Sequence, residues 1–151
     1  GIGNLINYKS WEMDFLFQFV KQEGRNYKYA MGFAGVMSNM PLYALNHWPA
    51  NGNNSEIQLY GTGANSAAVD AYYRYISSNA AFSDASFARL KSISIAYKIP
   101  SKQIKSFSGK IYLQGQNLLT ITNYKGADPE NQSTSFLPPL RQYTMGVQLD
   151  F

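Results

Sequence analysis

The residues that could carry chemistry are few. His47 is the sole histidine and cysteine is absent, which excludes thiol catalysis, a zinc–thiolate site and a disulfide framework. A histidine-based triad would have to run through His47, which lies in the turn-rich stretch from Asn46 to Ser55 beside Trp48 and reads as a surface-loop residue. Asp128-Pro129-Glu130 brings two carboxylates together, the raw material of a calcium site, but Pro129 between them reads as a turn. Gly24, Gly32 and Gly35 lack the strand-to-helix context and the Lys-Ser/Thr sequel of a phosphate loop. Lys98, Lys102, Lys105 and Lys110 surround one predicted turn with no interleaved aromatics, unlike a single-strand nucleic-acid groove. No catalytic residue, metal ligand, cofactor or nucleic-acid partner is therefore expected, and the chain does not read as an enzyme. The better candidates for ligand contact are Trp48, Tyr60, Tyr72, Tyr73 and Tyr75, gathered in one long loop. Aromatic faces stack on the apolar faces of sugars, and tyrosine hydroxyls add hydrogen bonds. The same rings could instead pack the loop against itself or against a partner.

The elements that must position these residues read as strands. Charged residues are 15% of the chain, against about 25% in an average soluble domain. Aromatics also reach 15%, with 12 Tyr, 9 Phe and 2 Trp, a composition that suits β-structure with a large non-aqueous face. Composition alone equally fits a small soluble Tyr-rich β-protein, for instance a carbohydrate-binding module. No stretch approaches the ~20 apolar residues of a membrane helix, and the first residues do not form a signal peptide.

Period-two alternation predicts an all-β chain of about five antiparallel strands near 2–8, 11–22, 87–99, 109–121 and 139–151. Trp11, Met13, Phe15, Phe17 and Phe19 share one face, opposite Glu12, Asp14, Leu16 and Gln18. Ile93, Ile95, Tyr97 and Ile99 oppose Ser92, Ser94, Ala96 and Lys98. Tyr143, Met145, Val147, Leu149 and Phe151 oppose Gln142, Thr144, Gly146, Gln148 and Asp150. The polar faces carry mainly Gln, Ser, Thr and Gly, which suits a wet barrel lumen whose opposite face meets lipid. Arg89 and Lys91 break this pattern, since they share parity with the isoleucines. Either they stand at headgroup level or a bulge shifts the phase. The connections alternate short (Lys9-Ser10), long (26–86), short (100–108) and long (122–138), as periplasmic turns and extracellular loops do in bacterial barrels. Within the long loop, Ser66 to Ala81 has near-helical apolar spacing.

Four segments resemble the SusC/RagA-type TonB-dependent outer-membrane transporters. Asn4-Leu-Ile-Asn-Tyr-Lys-Ser-Trp-Glu-Met-Asp-Phe-Leu-Phe-Gln18 is similar to the family's aromatic hairpin, and Ser83-Asp-Ala-Ser-Phe-Ala-Arg-Leu-Lys-Ser92 to its SDASF-RLKN segment. Tyr112-Leu-Gln-Gly-Gln-Asn-Leu-Leu-Thr-Ile-Thr122 with Tyr124-Lys-Gly-Ala-Asp-Pro-Glu130 resembles its GQNL-T-YKG-DPE signature. Pro138 to Phe151 resembles its terminal strand. Ser92 stands where Asn is usual, and Ala50-Asn51 where Pro-Gly is common. The resemblance implies that the chain is the C-terminal end of a large transmembrane barrel, with one long and one medium extracellular loop. It also implies a plug domain, a TonB box and earlier strands outside these 151 residues. The expected partners are a SusD-like surface lipoprotein as lid, the TonB complex through the plug, outer-membrane lipid, and the barrel-assembly machinery with Phe151 as its signal. Import of glycans or peptides is the function implied.

Overall fold

Strong alternation and β-branched or aromatic residues every second position give a ladder that can bury or expose one whole face at once. In the computed structural model, which describes residues 1–48, 55–100, 108–133 and 136–150, this alternation produces seven strands. They are β1 (Ile2–Tyr8), β2 (Trp11–Val20), β3 (Glu23–Arg25), β4 (Phe82–Asp84), β5 (Phe87–Ile99), β6 (Ser108–Thr122) and β7 (Gln142–Asp150). The described residues also form two helices, α1 (Tyr27–Met31) and α2 (Ser66–Ile76), and two 3-10 turns, Leu42–Leu45 and Asn79–Ala81. No helix among the described residues is long and apolar enough to cross a membrane.

The chain divides into two units. The first, from Gly1–Gln22, Ala85–Asn123 and Leu137–Phe151, holds one antiparallel sheet in the order β1-β2-β5-β6-β7. Its short hairpin is closed by Lys9 at a φ of 54°, and Tyr8 pairs directly with Trp11. The long connections both leave the other end of the sheet, where Val20 pairs with Phe87 and Phe87 with Thr122. The sheet is open, with β1 and β7 at its edges.

Three strands differ in their limits from the sequence expectation: the one expected over 109–121 is a residue longer at each end, and two others are shorter. The second strand, expected over 11–22, ends at Val20. There Gln22 donates its N–H to Ser86 Oγ at 3.2 Å and accepts from Ala85 N at 3.0 Å. The last strand, expected over 139–151, begins at Gln142, because Pro138 and Pro139 have no N–H to give a ladder. Phe151 lies outside the described residues.

The second unit comprises Glu23–Asp84 and Tyr124–Phe136, the two long connections. β3 pairs with β4. The side chain of Asn26 caps α1 by accepting from Tyr29 N at 3.1 Å, and that of Asn65 caps α2 by accepting from Ala68 N at 3.2 Å; both are favoured cap residues. Among its described residues the buried apolar ones are mostly small, namely Ala34, Ala44, Ala68 and Ala81 with Ile57.

Candidate functional site

The register sorts every strand residue onto one of two faces. One face carries rows such as Tyr8–Trp11–Tyr97–Ile111–Val147 and Ile6–Met13–Ile95–Leu113–Met145. Side chains on this face are open to the surroundings: Leu113 is 52% exposed, Val147 61% and Met145 79%. Trp11 and Tyr97 touch at 5.0 Å between centroids toward the short-turn end, an aromatic pair of the kind found in interfacial girdles. The opposite face carries Leu5–Asp14–Ser94–Gln114–Thr144 and Asn7–Glu12–Ala96–Tyr112–Gly146. Among the described residues, every Asp, Glu, Lys and Arg that has a register partner in this sheet lies on that second face. At the short-turn end Glu12 holds Lys98 at 2.7 Å and Lys110 at 3.5 Å.

Arg89 and Lys91 owe their parity to a bulge. Leu16 pairs with Ser92 and Phe17 with Leu90, so Lys91 is the extra residue of the bulged strand. The phase of β5 shifts there, and Arg89 moves to the polar face between Gln18 and Thr120. It is 1% exposed and donates from Nε to Thr120 Oγ1 at 3.0 Å. On β6 the same level holds a second irregularity, where Asn117 takes a φ of 52° and donates to the Leu140 carbonyl at 3.2 Å.

Two of the clefts among the described residues of the loop unit border α1. A larger one, about 500 Å³, lies among α1, Tyr43 and the 124–133 turn. A smaller one, about 270 Å³, lies among α1, the 56–58 segment and α2. Tyr27 donates its hydroxyl to Glu56, and Lys28 pairs with the same carboxylate at 3.5 Å. Burial first, then the bond to Glu56, pushes the Tyr27 hydroxyl up to about 12. That bond, with the Lys28 charge next, holds Glu56 below the usual carboxylate range. Tyr43 meets the Tyr27 ring edge-on at 4.9 Å and donates to the Tyr27 carbonyl at 2.9 Å.

The aromatic residues singled out from sequence are dispersed by this arrangement. Tyr60 stacks on His47 at 3.8 Å and donates to the Ala44 carbonyl at 2.7 Å. Tyr72 packs edge-on against Phe33 at 5.4 Å, and Tyr75 donates to Asn26 at 2.6 Å. Tyr72 and Tyr75 line the smaller cleft. Trp48 and Tyr73 are 46% and 59% exposed, and neither lines either of these clefts. Asp128 turns its carboxylate inward to accept from Glu130 N at 2.9 Å and Asn131 N at 3.3 Å, which is the work of a turn cap. Among the described residues no three His, Cys, Asp or Glu side chains group as metal ligands.

No family model matches the chain. The TonB-dependent receptor P3 of Formosa agariphila is 30% identical over 174 aligned positions, which cover 100% of this chain and 16% of that protein. A structure of the RagAB peptide transporter matches with a TM-score of 0.71 and 25% identity, over 96% of this chain and 16% of that one. The RagAB peptide importer in its closed-closed state also gives 0.71, at 26% identity and 95% and 16% coverage. The chain belongs to the SusC/RagA family of TonB-dependent outer-membrane transporters. It spans about one sixth of the length of the relatives it matches, and the five-stranded open sheet is a stretch of such a barrel's wall. Membership displaces the alternative of a small soluble carbohydrate-binding module.

The transporter signature segments acquire physical reasons. In Gly115-Gln116-Asn117-Leu118, the Leu118 side chain lies where a Cβ on residue 115 would stand, 2.5 Å away. Asn117 is among the residues that tolerate a positive φ, which the bulge requires. In Tyr124-Lys125-Gly126, the Tyr124 ring folds back over Gly126 and its hydroxyl donates to the Arg25 carbonyl at 2.6 Å. Tyr27, Tyr43, Tyr124 and Lys125, which line the larger cleft, were not singled out from sequence as ligand contacts. Tyr124 and Lys125 were visible only as part of the family signature. Tyr27 and Tyr43 carried no signal beyond being loop tyrosines.

Proposed function

We propose that this chain supplies barrel wall and two outer loops to a transporter that imports glycans or peptides across the outer membrane, with a SusD-like surface lipoprotein as lid. The observation that carries the reading is the sheet's division into an exposed apolar face with none of its registered charges and a polar face holding all of them. Lipid accepts the first and a water-filled lumen the second. The matched structures, those of a peptide transporter and a peptide importer, favour peptides within that range. On this reading residues 26–86 and 122–138 are extracellular, and energy comes from the TonB complex acting on a plug. Phe151 is the residue the barrel-assembly machinery reads, and Trp48 and Tyr73 are the exposed loop aromatics open to substrate or lid.

The test uses the full-length transporter that carries this segment, in its own host. Deleting the transporter gene is expected to abolish growth on one class of oligomer, and inactivating TonB is expected to do the same. A surface lipoprotein should co-purify with the transporter. Uptake that persists without TonB would overturn the energised-import reading, and a transporter that purifies alone while importing normally would overturn the lid.

A further inference from the structure

We propose that the cleft formed by Tyr27, Tyr43, Tyr124 and Lys125 is a subsite for a carboxylate carried by the substrate, with Lys125 as its counter-ion. The inference rests on the import reading above and narrows its substrate class. At about 500 Å³ the cleft lies within the range of roughly 300–1,000 Å³ typical of small-molecule sites.

Its polar groups are arranged in one sense. The three tyrosine hydroxyl protons are already committed, to the Glu56 carboxylate, the Tyr27 carbonyl and the Arg25 carbonyl. A phenol whose proton is committed meets a ligand only as an acceptor, suited to its hydroxyl or amide protons. The two lysines near the Tyr27 ring differ. Lys28 is neutralised by Glu56 at 3.5 Å. Lys125 is exposed and lies 5.8 Å from the Tyr27 centroid. Among the described residues no carboxylate stands within ion-pairing distance of its ammonium. Lys28 and Lys125 together face the single Glu56 carboxylate, so one net positive charge remains beside an apolar aromatic floor, which matches a ligand that offers one anion and an apolar face. A peptide with an acidic residue and an acidic sugar both have that chemistry.

The wall that carries Lys125 is held independently of any ligand. Tyr124 is tied to Arg25, and Asp128 caps the turn that follows. Lys125 itself takes no part in that bracing beyond its ring contact, so Lys125→Gln leaves the fold in place.

The experiment is calorimetric titration of the detergent-purified full-length transporter with two matched probe pairs. One pair is acetyl-Ala-Ala-Asp amide against acetyl-Ala-Ala-Asn amide; the other is trigalacturonate against galactotriose. In one pair the acidic member is expected to bind about three- to tenfold more tightly, the span of a partly exposed charge-assisted contact. Lys125→Gln should remove that preference and Lys125→Arg should restore it. The pair that responds identifies the source of the carboxylate. No preference in either pair overturns the subsite, and so does a preference that survives Lys125→Gln. If TonB-dependent growth is intact while Lys125→Gln has no effect on binding, the subsite fails and the import reading stands. If the Lys125-dependent preference holds but uptake proceeds without TonB, the import reading fails and the subsite stands.

Discussion

Leu113→Arg set beside Gln114→Arg tests the facing assignment at adjacent positions of one strand. Leu113 lies between Ile95 and Met145 across the ladder, half exposed on the apolar face. Gln114 lies between Ser94 and Thr144 on the face that carries the charges. Both sit well inside the 15 residues of β6, away from its ends. An arginine on the lipid side near the bilayer midplane costs ~2–4 kcal/mol, whereas the same residue toward the lumen has water to solvate it. A surface change of the second kind stays within about 0.5 kcal/mol. The expected gap is therefore at least about 1.5 kcal/mol, or roughly tenfold or more in the folding equilibrium. The assay is unfolding of the full-length transporter refolded into lipid vesicles, with surface labelling of cells as a second readout. Leu113→Arg should lower both stability and surface level, and Gln114→Arg should leave both near wild type. Equal losses, or a greater loss for Gln114→Arg, would refute the assignment of faces and with it the physical basis for reading the sheet as barrel wall.

Three further outcomes are expected, the first two from local geometry. The Tyr27 hydroxyl titrates at about 12 in the folded protein, against about 10 in an unfolded chain. Its contribution to loop stability is thus complete below pH ~10 and lost as pH rises toward 12; the phenolate absorbance difference between wild type and Tyr27→Phe should appear near the upper value, and a titration near 10 would contradict the Glu56 bond. Gly126→Ala puts a methyl group into the Tyr124 ring, 2.7 Å from its Cζ, and should cost about 1–3 kcal/mol. Hydrogen exchange across residues 124–133 should accelerate in that variant and not in Ala127→Ser; unchanged protection would mean the ring moves freely. Deleting Phe151 should reduce the amount of transporter in the outer membrane, whereas unchanged surface levels in pulse-labelled cells would remove it as an assembly signal.

What the sequence disclosed, and what it hid, follows from the range of the forces involved. A strand's period is local, so Trp11 to Phe19 and Tyr143 to Leu149 announce their faces without help from neighbours. A bulge is a property of a pair of strands. The fault in parity at Arg89 and Lys91 was visible as a conflict, yet only the register against Leu16 and Phe17 shows that Lys91 is the extra residue. The same limit governs the loop unit. Tyr60, Tyr72 and Tyr75 looked equivalent to Tyr73 as potential ligand contacts, because side-chain type is all that sequence reveals of a loop. The structure separates them through partners 16 to 49 positions away, Ala44 for Tyr60 and Asn26 for Tyr75. The cleft beside Tyr27 draws on segments about 100 residues apart in the chain, which no spacing rule could join. Its far wall was nevertheless written in the family signature Tyr124-Lys125-Gly126. The glycine is there to let the tyrosine fold back, and the fold-back leaves the intervening lysine facing out. A signature read first as a badge of ancestry is thereby also the device that presents a cation to the cleft, and Lys125 is the position at which ancestry and substrate choice can be tested apart.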